Sequence, residues 1–418
     1  MAVQEYDIAV VGAGLAGSSL AGALAAVSNK RVVVLERHIP QAISDPSPES
    51  RPISLSYGSQ QALATLGWWD ALSEYVTPIQ SVEVSQMGRM GVVNFSAADF
   101  EVPALGYVVP YDYLHQQLYQ ATADNKQVTF LSVDGIDRIE YQGGQTQLQF
   151  QQNGDSATLQ ARLVIAADGT RSDCRQLLGI ESESADRGSV ALSGELQLTS
   201  SHQGQALQRF SELGVIAILP LADPKRVRFV LSVSAQQKEK VSSWGKRRWL
   251  RFWQRALRGR LMVESQKLTG EFPLSTQMAK EVQRPGVVLL GNAAHTIYPL
   301  AAQGFNLTWR DVAALVELLV DAMNDAPSEW ASGGVLNAYA QWRDKDARQL
   351  KCFTDAMQNL FQIKIPLLDH LRGLSLMALD SLPGGKAELG RWLMGVGGKV
   401  PKLMRGVLPV QHDNQKGV

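Results

Sequence analysis

The residues best suited to chemistry are three glycines near the beginning of the chain. Gly12, Gly14 and Gly17 stand in the segment GAGLAG, directly after the β-branched run of residues 6–11. The first glycine permits a tight turn, the second lets the backbone approach a pyrophosphate, and the third allows close packing of a helix on a strand. Glu36 ends a second apolar run about 20 residues further on, where a carboxylate accepts hydrogen bonds from ribose hydroxyls. The spacing predicts a dinucleotide site at a helix N-terminus. The alternative is a tight turn with an incidental glutamate.

Two later segments contain further candidate residues. Asp168 and Gly169 end the apolar run of VIAADGTR. The segment 288–311, VLLGNAAHTIYPLAAQGFNLTWRD, leads from an apolar strand through a loop with proline and glycine to a predicted helix. Strand and helix patterns therefore occur at the beginning, in the middle and late in the chain, separated by two blocks of short strands. This interleaving predicts a nucleotide-binding lobe built from three separate segments, with a sheet domain inserted.

In their order along the chain, these three motifs resemble those of the class A flavin-dependent aromatic monooxygenases, which share the para-hydroxybenzoate hydroxylase fold. The resemblance covers about residues 5–400, and the set of three is far more specific than any single motif. It implies an α/β chain with a Rossmann-type FAD-binding domain, an inserted β-sheet substrate domain and C-terminal helices. The expected boundaries are 1–78, 100–180 and 272–345 for the FAD-binding domain, 79–99 and 181–271 for the substrate-binding domain, and 346–418 for the C-terminal helical region.

The resemblance also implies which residues hold FAD. Asp168 and Gly169 correspond to a pyrophosphate-region contact, and residues 304–306 to a loop beside the flavin ring. Backbone N–H groups at a helix N-terminus there can stabilise negative charge on a reduced flavin. The full expected set is Gly12, Gly14, Gly17, Glu36, Arg37, Arg51, Asp168, Gly169, Asn292, Gly304, Phe305 and Asn306. No metal site is expected, because the histidines show no metal-ligand spacing.

Three residues are catalytic candidates. Pro299 belongs to the loop beside the flavin, and Arg51, within SRPISL, resembles the family arginine near the flavin ring. For Arg51 the alternative is a solvated loop charge. His295, within AAHT, is either a proton shuttle or a histidine that hydrogen-bonds the flavin-binding backbone or caps the turn, and we favour the second interpretation.

One departure from the family pattern is informative. The usual Gly-Asp pair is Gly291-Asn292 here, and an amide oxygen accepts a ribitol hydroxyl without charge assistance, so FAD is expected to bind less tightly. The Gly-Asn form is similar to that of the ubiquinone-biosynthesis hydroxylases, in particular their bacterial 2-octaprenyl-6-methoxyphenol hydroxylase branch. The segments 208–210 (QRF), 218–220 (ILP) and 373–386 (GLSLMALDSLPGGK) resemble the same branch.

The resemblance implies an FAD-dependent aromatic-ring monooxygenase. NADH or NADPH would reduce FAD, and O₂ would form a flavin C4a-hydroperoxide whose distal oxygen is attacked by a polyprenylated phenol in ubiquinone biosynthesis. The cofactor carries the chemistry, and the protein excludes water and places the ring. Alternatives on the same fold are a flavin-dependent reductase of prenyl chains or another aromatic monooxygenase. A non-catalytic flavin-binding subunit of a biosynthetic complex is a third. The Trp-x-Trp-x-Ile motif of halogenases does not occur.

The amino-acid composition excludes some classes of protein and predicts where this one is located. The 418 residues contain 40 basic and 40 acidic side chains, and 45% are hydrophobic. A zero net charge argues against a general nucleic-acid binder, and the hydrophobic content argues against a disordered chain. The two cysteines are interpreted as reduced thiols. No signal peptide or apolar run of about 18 residues is present, so we expect a cytoplasmic protein, with a peripheral place at the inner membrane as a second expectation.

Two basic segments stand out from this balance. Residues 238–260 contain nine basic residues and one acidic residue, with aromatic side chains at helical spacing. This basic amphipathic helix either covers the substrate-domain sheet with a solvated arginine face or contacts anionic lipid or an acidic partner, such as a ubiquinone-biosynthesis complex. Residues 386–418 contain six basic and two acidic residues, and Trp392, Leu393 and Met394 are expected to be exposed there. The oligomeric state is left open.

Overall fold

The computed structural model describes residues 4–40, 47, 50–88, 91–298, 303–362, 380 and 383–412. Its strands, in chain order, are β1 Gln4–Val11, β2 Val32–Glu36, β3 Pro52–Ser56, β4 Thr77–Ile79, β5 Ser81–Gln86, β6 Val92–Ser96, β7 Gly106–Pro110, β8 Val128–Ser132, β9 Gly135–Gln142, β10 Gln145–Gln152, β11 Asp155–Ala166, β12 Ser182–Leu198, β13 Gln205–Phe210, β14 Gly214–Pro220, β15 Arg226–Val233, β16 Val263–Ala279, β17 Gln283–Arg284, β18 Val287–Leu289 and β19 His295–Thr296. The helices are α1 Leu15–Val27, α2 Tyr57–Thr65, α3 Tyr111–Ala123, α4 Asp173–Leu177, α5 Ala235–Ser242, α6 Lys246–Ala256, α7 Gly304–Asp325, α8 Gly333–Gln362 and α9 Pro383–Leu393.

The first sheet is mainly parallel and gathers the predicted motifs at one edge. Its order is β17-β18-β11-β1-β2-β8, with β10 and β9 attached to β11. In the register of β1, Val11 lies opposite Ala166 of β11 and Leu35 of β2. The carboxyl ends of these strands therefore coincide, which is where ligands bind in open α/β sheets. Helices α1, α3 and α7 supply much of the apolar cover on one face.

The second sheet is formed by the inserted segments. Its order is β19-β16-β12-β15-β14-β13-β5-β6, so β5 and β6 join strands that follow them by about a hundred residues. Strand β16 continues to Ala279, past the expected domain limit at 271, and α8 begins at Gly333, so the expected limit at 345 falls inside this helix. The remaining domain boundaries stay predictions.

Helix α6 packs its aromatic face onto the second sheet. Trp249, Phe252, Trp253 and Ala256 are buried, and the ring of Trp253 lies 4.5 Å from that of Phe229 on β15. The arginines of the opposite face are exposed: Arg247, Arg248, Arg251, Arg255 and Arg258. The interpretation of α6 as a cover for the substrate-domain sheet is confirmed.

The expected exposure at the C-terminal end was wrong. Trp392 is half-buried and its ring packs edge-on against Phe353 at 5.2 Å, while Met394 is buried. These side chains are apolar enough to be drawn into the interior despite the basic residues around them. Among the residues that the structure describes, no helix is both long and apolar enough to cross a bilayer.

Candidate active site

The three glycines of the turn between β1 and α1 differ in their surroundings: two are tightly packed against the backbone and one faces open space. Gly12 has φ +102°, and a Cβ there would lie 2.6 Å from the carbonyl oxygen of Ala167. A Cβ on Gly17 would lie 1.9 Å from the carbonyl oxygen of Gly12, so only glycine lets α1 approach the strand this closely. Gly14 differs, because a Cβ added to it would meet no protein atom within 4 Å. The first and third glycines are thus needed by the fold, whereas the second faces room for a ligand.

Glu36 ends β2 and Arg37 follows it, and the two side chains point to different partners. The Glu36 carboxylate accepts hydrogen bonds from the N–H groups of Ala13, at 2.5 Å, and His38, at 3.1 Å. It therefore stands directly beside the glycine turn. Arg37 instead pairs with Asp173 at 2.5 Å, and both side chains are about half exposed. The structure does not bring the Arg37 side chain to the turn.

The Asp-Gly pair after β11 has one carboxylate oxygen in use and one without a protein partner. Oδ2 of Asp168 accepts the N–H of Cys174 at 3.0 Å. Oδ1 is buried and has no hydrogen-bond partner among the described residues. Gly169 has φ +84°, and a Cβ there would meet nothing within 4 Å. A buried carboxylate oxygen needs a donor, so this pair and the open space at Gly14 fit a bound dinucleotide.

The N-terminus of α7 forms the second half of the site. Gly304 and Phe305 open the helix, and no side chain caps its first N–H groups. The Asn306 side chain accepts from Ser56 N–H at 2.8 Å and from the Ser59 hydroxyl at 2.9 Å, which ties α7 to the start of α2. The Asn306 side chain is thus engaged within the protein, and its role towards a cofactor stays a prediction. Pro299 lies outside the described residues.

A single cavity of about 900 Å³ joins the expected cofactor residues to the substrate-domain sheet. The expected residues that line it are Gly14, Arg51, Gly169, Asn292, His295, Gly304, Phe305 and Asn306. The opposite wall is apolar and comes from the second sheet and from helices α8 and α9, with Val84, Phe95, Leu207, Phe210, Val230, Leu274, Phe353, Leu389 and Leu393. The cavity therefore has one polar end at the sheet edge and one long apolar wall.

Arg51 lies at the cavity with an exposed side chain, so both interpretations proposed for it stay predictions. Its guanidinium carbon lies 5.5 Å from the centre of the Tyr111 ring. Burial raises the pKa of Tyr111, and the charge of Arg51 partly opposes this. The Arg51 guanidinium is thus held at the cavity by a cation–π contact with Tyr111.

His295 is held from behind by a buried carboxylate. Its Nε2 lies 2.6 Å from Oδ2 of Asp311, which is completely buried on α7. The other oxygen of Asp311 accepts from Nε of Arg343 on α8 at 2.7 Å. Burial favours the neutral acid, but His295 and Arg343 outweigh it and lower the pKa of Asp311. The carboxylate is therefore ionised at neutral pH.

Two buried charged residues escaped the sequence analysis. Asp311 closes the motif that ends in TWRD, yet its contact with His295 joins two elements 16 positions apart, which the motif alone does not indicate. Arg228 on β15 lines the cavity and pairs with Glu195 on β12 at 2.9 Å. The alternation in RVRFVLSV places Arg228 on the face opposite the core residues Val227 and Phe229, so the sequence contains no signal for a role in the cavity.

A Rossmann-type glycine turn and a helix N-terminus on one cavity define an enzyme that binds a dinucleotide cofactor beside its substrate. A family model described as "FAD binding domain" matches residues 5–354, so the chain belongs to this family, within the class A flavin-dependent monooxygenases. FAD is its bound cofactor and NADH or NADPH its reductant. The predictions of the cofactor and of an FAD-dependent aromatic-ring monooxygenase are confirmed.

The chain is similar along its length to named hydroxylases. It is 30% identical to the 3-demethoxyubiquinol 3-hydroxylase of Escherichia coli, over 95% of this chain and 100% of that protein. It is also 30% identical to the ubiquinone hydroxylase UbiL of Rhodospirillum rubrum, over 96% of this chain and 93% of that protein. The crystal structure of p-nitrophenol 4-monooxygenase from Pseudomonas putida superposes with a TM-score of 0.76 at 18% identity, covering 95% of this chain and 100% of that one. The predicted fold class is confirmed.

Proposed function

We propose that the protein hydroxylates the ring of a polyprenylated phenol in ubiquinone biosynthesis, with O₂ as the oxygen donor. The observation that carries this proposal is the continuous cavity, which begins at the cofactor turn and extends along the apolar face of the second sheet. Its volume of about 900 Å³ is at the upper end of the usual range for small-molecule sites. The two hydroxylases to which the chain is 30% identical are named for ubiquinone chemistry.

The apolar wall suits a prenyl chain better than a small polar phenol. Each buried CH₂ contributes about 0.8 kcal/mol of transfer free energy. A chain laid along Leu207, Val230 and Leu274 would therefore gain affinity and would exclude water from the ring at the polar end.

The site residues then have separate tasks. When bound, FAD supplies electron transfer from the nicotinamide and activation of O₂. Gly14 and the uncapped N-terminus of α7 would hold the cofactor through backbone N–H groups. Glu36 would bind a ribose hydroxyl, and Asn292 would accept one from the ribitol chain. Arg51 would lie at the rim near the flavin ring.

Turnover of the purified flavoprotein tests the reaction. We expect a prenylated phenol to stimulate NAD(P)H oxidation and to gain one oxygen atom that carries label from ¹⁸O₂. Saturation of the prenyl chain without label would favour the reductase alternative, and no stimulation by any phenol would favour a non-catalytic subunit. Products that accumulate in a deletion strain would identify the ring carbon and thereby test the predicted 2-octaprenyl-6-methoxyphenol hydroxylase branch.

A variant of the cavity wall tests where the prenyl chain lies. Ala217 on β14 lines the cavity, whereas its neighbour Ile216 points into the core on the other face of the strand. Ala217→Phe should raise KM for a long-chain phenol while leaving a chain-free phenol unaffected. Ile216→Val is the matched control and should change neither KM. An equal change for both phenols with Ala217→Phe would contradict the proposed route of the chain.

We also propose that the exposed arginines of α6 dock the protein on an anionic membrane, where a polyprenyl substrate dissolves. The aromatic face of α6 is buried, so the attraction is electrostatic and each cation near the surface contributes about 1 kcal/mol. The protein would then lie on the cytoplasmic side of the inner membrane. Arg248→Glu/Arg251→Glu/Arg255→Glu should abolish binding to vesicles that contain anionic lipid.

Reversal of three exposed cations away from α6 is the control for this experiment. Lys126→Glu/Arg138→Glu/Lys280→Glu changes the net charge by the same amount as the α6 variant, and all three residues are exposed. We expect this control to retain most vesicle binding. Equal losses in both triple variants would show a net-charge effect, and unchanged binding of the α6 variant would retire the lipid proposal in favour of an acidic protein partner.

A further inference from the structure

A group of four charged side chains, three of them buried, stands behind His295. Asp311 on α7 contacts His295, Arg343 on α8 contacts both Asp311 and Asp346, and Arg310 donates to Asp346 at 2.9 Å. Arg343 is 2% exposed and Asp311 is 0% exposed. This group, Arg310, Asp311, Arg343 and Asp346, is called the charge cluster below.

The cluster is electrically balanced while the imidazole is neutral. Two guanidinium groups face two carboxylates, so a proton gained by His295 adds a charge whose nearest counter-ion is Asp311, at 2.6 Å. A buried cation without such a partner would carry a large desolvation cost. Other titratable or charged groups near this region are Tyr339 on α8, Arg175 on α4, which donates to Ala293 O, and Arg51 on the cavity rim.

The hydrogen bonds of the cluster select one form of the neutral imidazole. Arg343 has only donors, and together with His295 it lowers the pKa of the Asp311 carboxyl group, so the carboxylate is ionised and can only accept. The shared hydrogen between Asp311 and His295 therefore belongs to Nε2. The lone pair of the neutral ring is then on Nδ1, which has no hydrogen-bond partner among the described residues, while the His295 side chain lines the cavity.

We propose that Asp311, oriented by Arg343, is a positioning residue that keeps His295 as a base for the hydroxyl group of the bound phenol. The phenolic O–H bond breaks, the proton binds Nδ1, and the resulting imidazolium is stabilised by the Asp311 carboxylate. The phenolate is the more electron-rich ring and reacts faster with an electrophilic oxygen. When product leaves, the proton passes from Nδ1 to water. This inference rests on the proposed function, because it requires a phenol in the cavity.

Asp311→Asn tests the positioning role directly. The amide oxygen is expected to face Arg343, which can only donate, so the amide NH₂ faces His295 and its Nε2 must accept. The ring proton then moves to Nδ1, and the base is lost. Nitrogen-15 NMR of histidine-labelled protein reports this tautomer, and His295→Gln assigns the signal among the six histidines. Asp346→Asn is the matched control, because Asp346 belongs to the cluster without contacting His295.

Rates with phenols of graded acidity separate a base from a structural role. With a phenol that is protonated at the assay pH, Asp311→Asn and His295→Gln should lower kcat/KM by about 100-fold. With a fluorinated phenol that is already ionised, both deficits should nearly vanish. Asp346→Asn should show no deficit that depends on phenol acidity, even where its stability is reduced.

Different results would contradict the proposed function and the inference about His295. A wild-type protein that hydroxylates no phenol overturns the proposed function and, with it, the role of His295 as a base. A wild-type protein that hydroxylates phenols, with His295→Gln deficits that are the same for acidic and weakly acidic phenols, overturns the inference alone. An Nδ1-protonated His295 in the wild-type protein would also overturn it.

Discussion

Substitution of Gly14, the second glycine of the turn, should weaken FAD binding without lowering the free energy of unfolding. Gly14 has φ −66° and ψ −175°, which alanine adopts without strain, and an added Cβ meets no protein atom within 4 Å. Gly14→Ala should therefore leave the free energy of unfolding unchanged or raise it by about 0.4–1 kcal/mol, through a less flexible unfolded chain. The new methyl group would occupy the space where the backbone approaches the pyrophosphate.

The expected loss of FAD affinity follows from one backbone hydrogen bond. A hydrogen bond to a charged phosphate is worth about 1.5–3 kcal/mol. Its loss would raise the Kd for FAD roughly tenfold to 150-fold, since each 1.4 kcal/mol corresponds to a factor of ten. Flavin fluorescence during titration measures the Kd, and urea unfolding without added FAD measures stability.

Gly17→Ala is the comparison variant. Its Cβ would stand 1.9 Å from the Gly12 carbonyl oxygen, a backbone atom that cannot turn aside. Overpacking costs about 3 kcal/mol at its upper end, and the better helix propensity of alanine offsets about 1 kcal/mol, which leaves a net loss of about 2 kcal/mol. The reasoning is refuted if Gly14→Ala binds FAD as tightly as the wild type, or if it unfolds as easily as Gly17→Ala.

Three further outcomes are expected. Asn292→Asp should bind FAD as tightly as the wild type or more tightly, because a carboxylate accepts a hydroxyl with charge assistance; loss of flavin from the folded variant would contradict this. Trp253→Ala should lower the free energy of unfolding by about 3–5 kcal/mol, since the ring is 0% exposed and its Nε1 donates to Gln266 at 3.0 Å; urea unfolding measures this. Asp311→Asn should cost about 3–5 kcal/mol at pH 7. Because the folded-state pKa of Asp311 is lowered, this difference from the wild type should shrink as the pH falls below about 4, which pH-dependent unfolding tests.

Local backbone requirements were predictable from the sequence, and contacts between distant helices were not. The turn at Gly12 and the close packing at Gly17 depend only on neighbouring strand and helix geometry. Helix α6 was predictable because its aromatic residues recur at helical spacing over a single segment. The placement of Arg343 beside Asp311 depends on how α8 packs on α7, and no local pattern encodes it.

The same limit explains the errors at the C-terminal end. Met394 stands among basic residues, which suggested an exposed segment, but it lines a cavity whose walls also include residues as distant in sequence as Gly14 and Arg51. Helix α2 ends at Thr65, and a turn with Gly67 at φ +75° follows. A single glycine inside an otherwise helical pattern was the available signal.

The wall that α9 supplies has a consequence for the synthesis of the protein. Leu393 accepts a hydrogen bond from Gln303, Met394 accepts one from Gly58, and both residues line the cavity. A ribosome-bound chain can complete the glycine turn and both sheets long before this segment emerges from the exit tunnel. Until then, water has access to the place where oxygen would be activated. Under the proposed function, a chain without this wall would release hydrogen peroxide instead of hydroxylated product, and a protease that removes α9 would have the same effect on the mature enzyme.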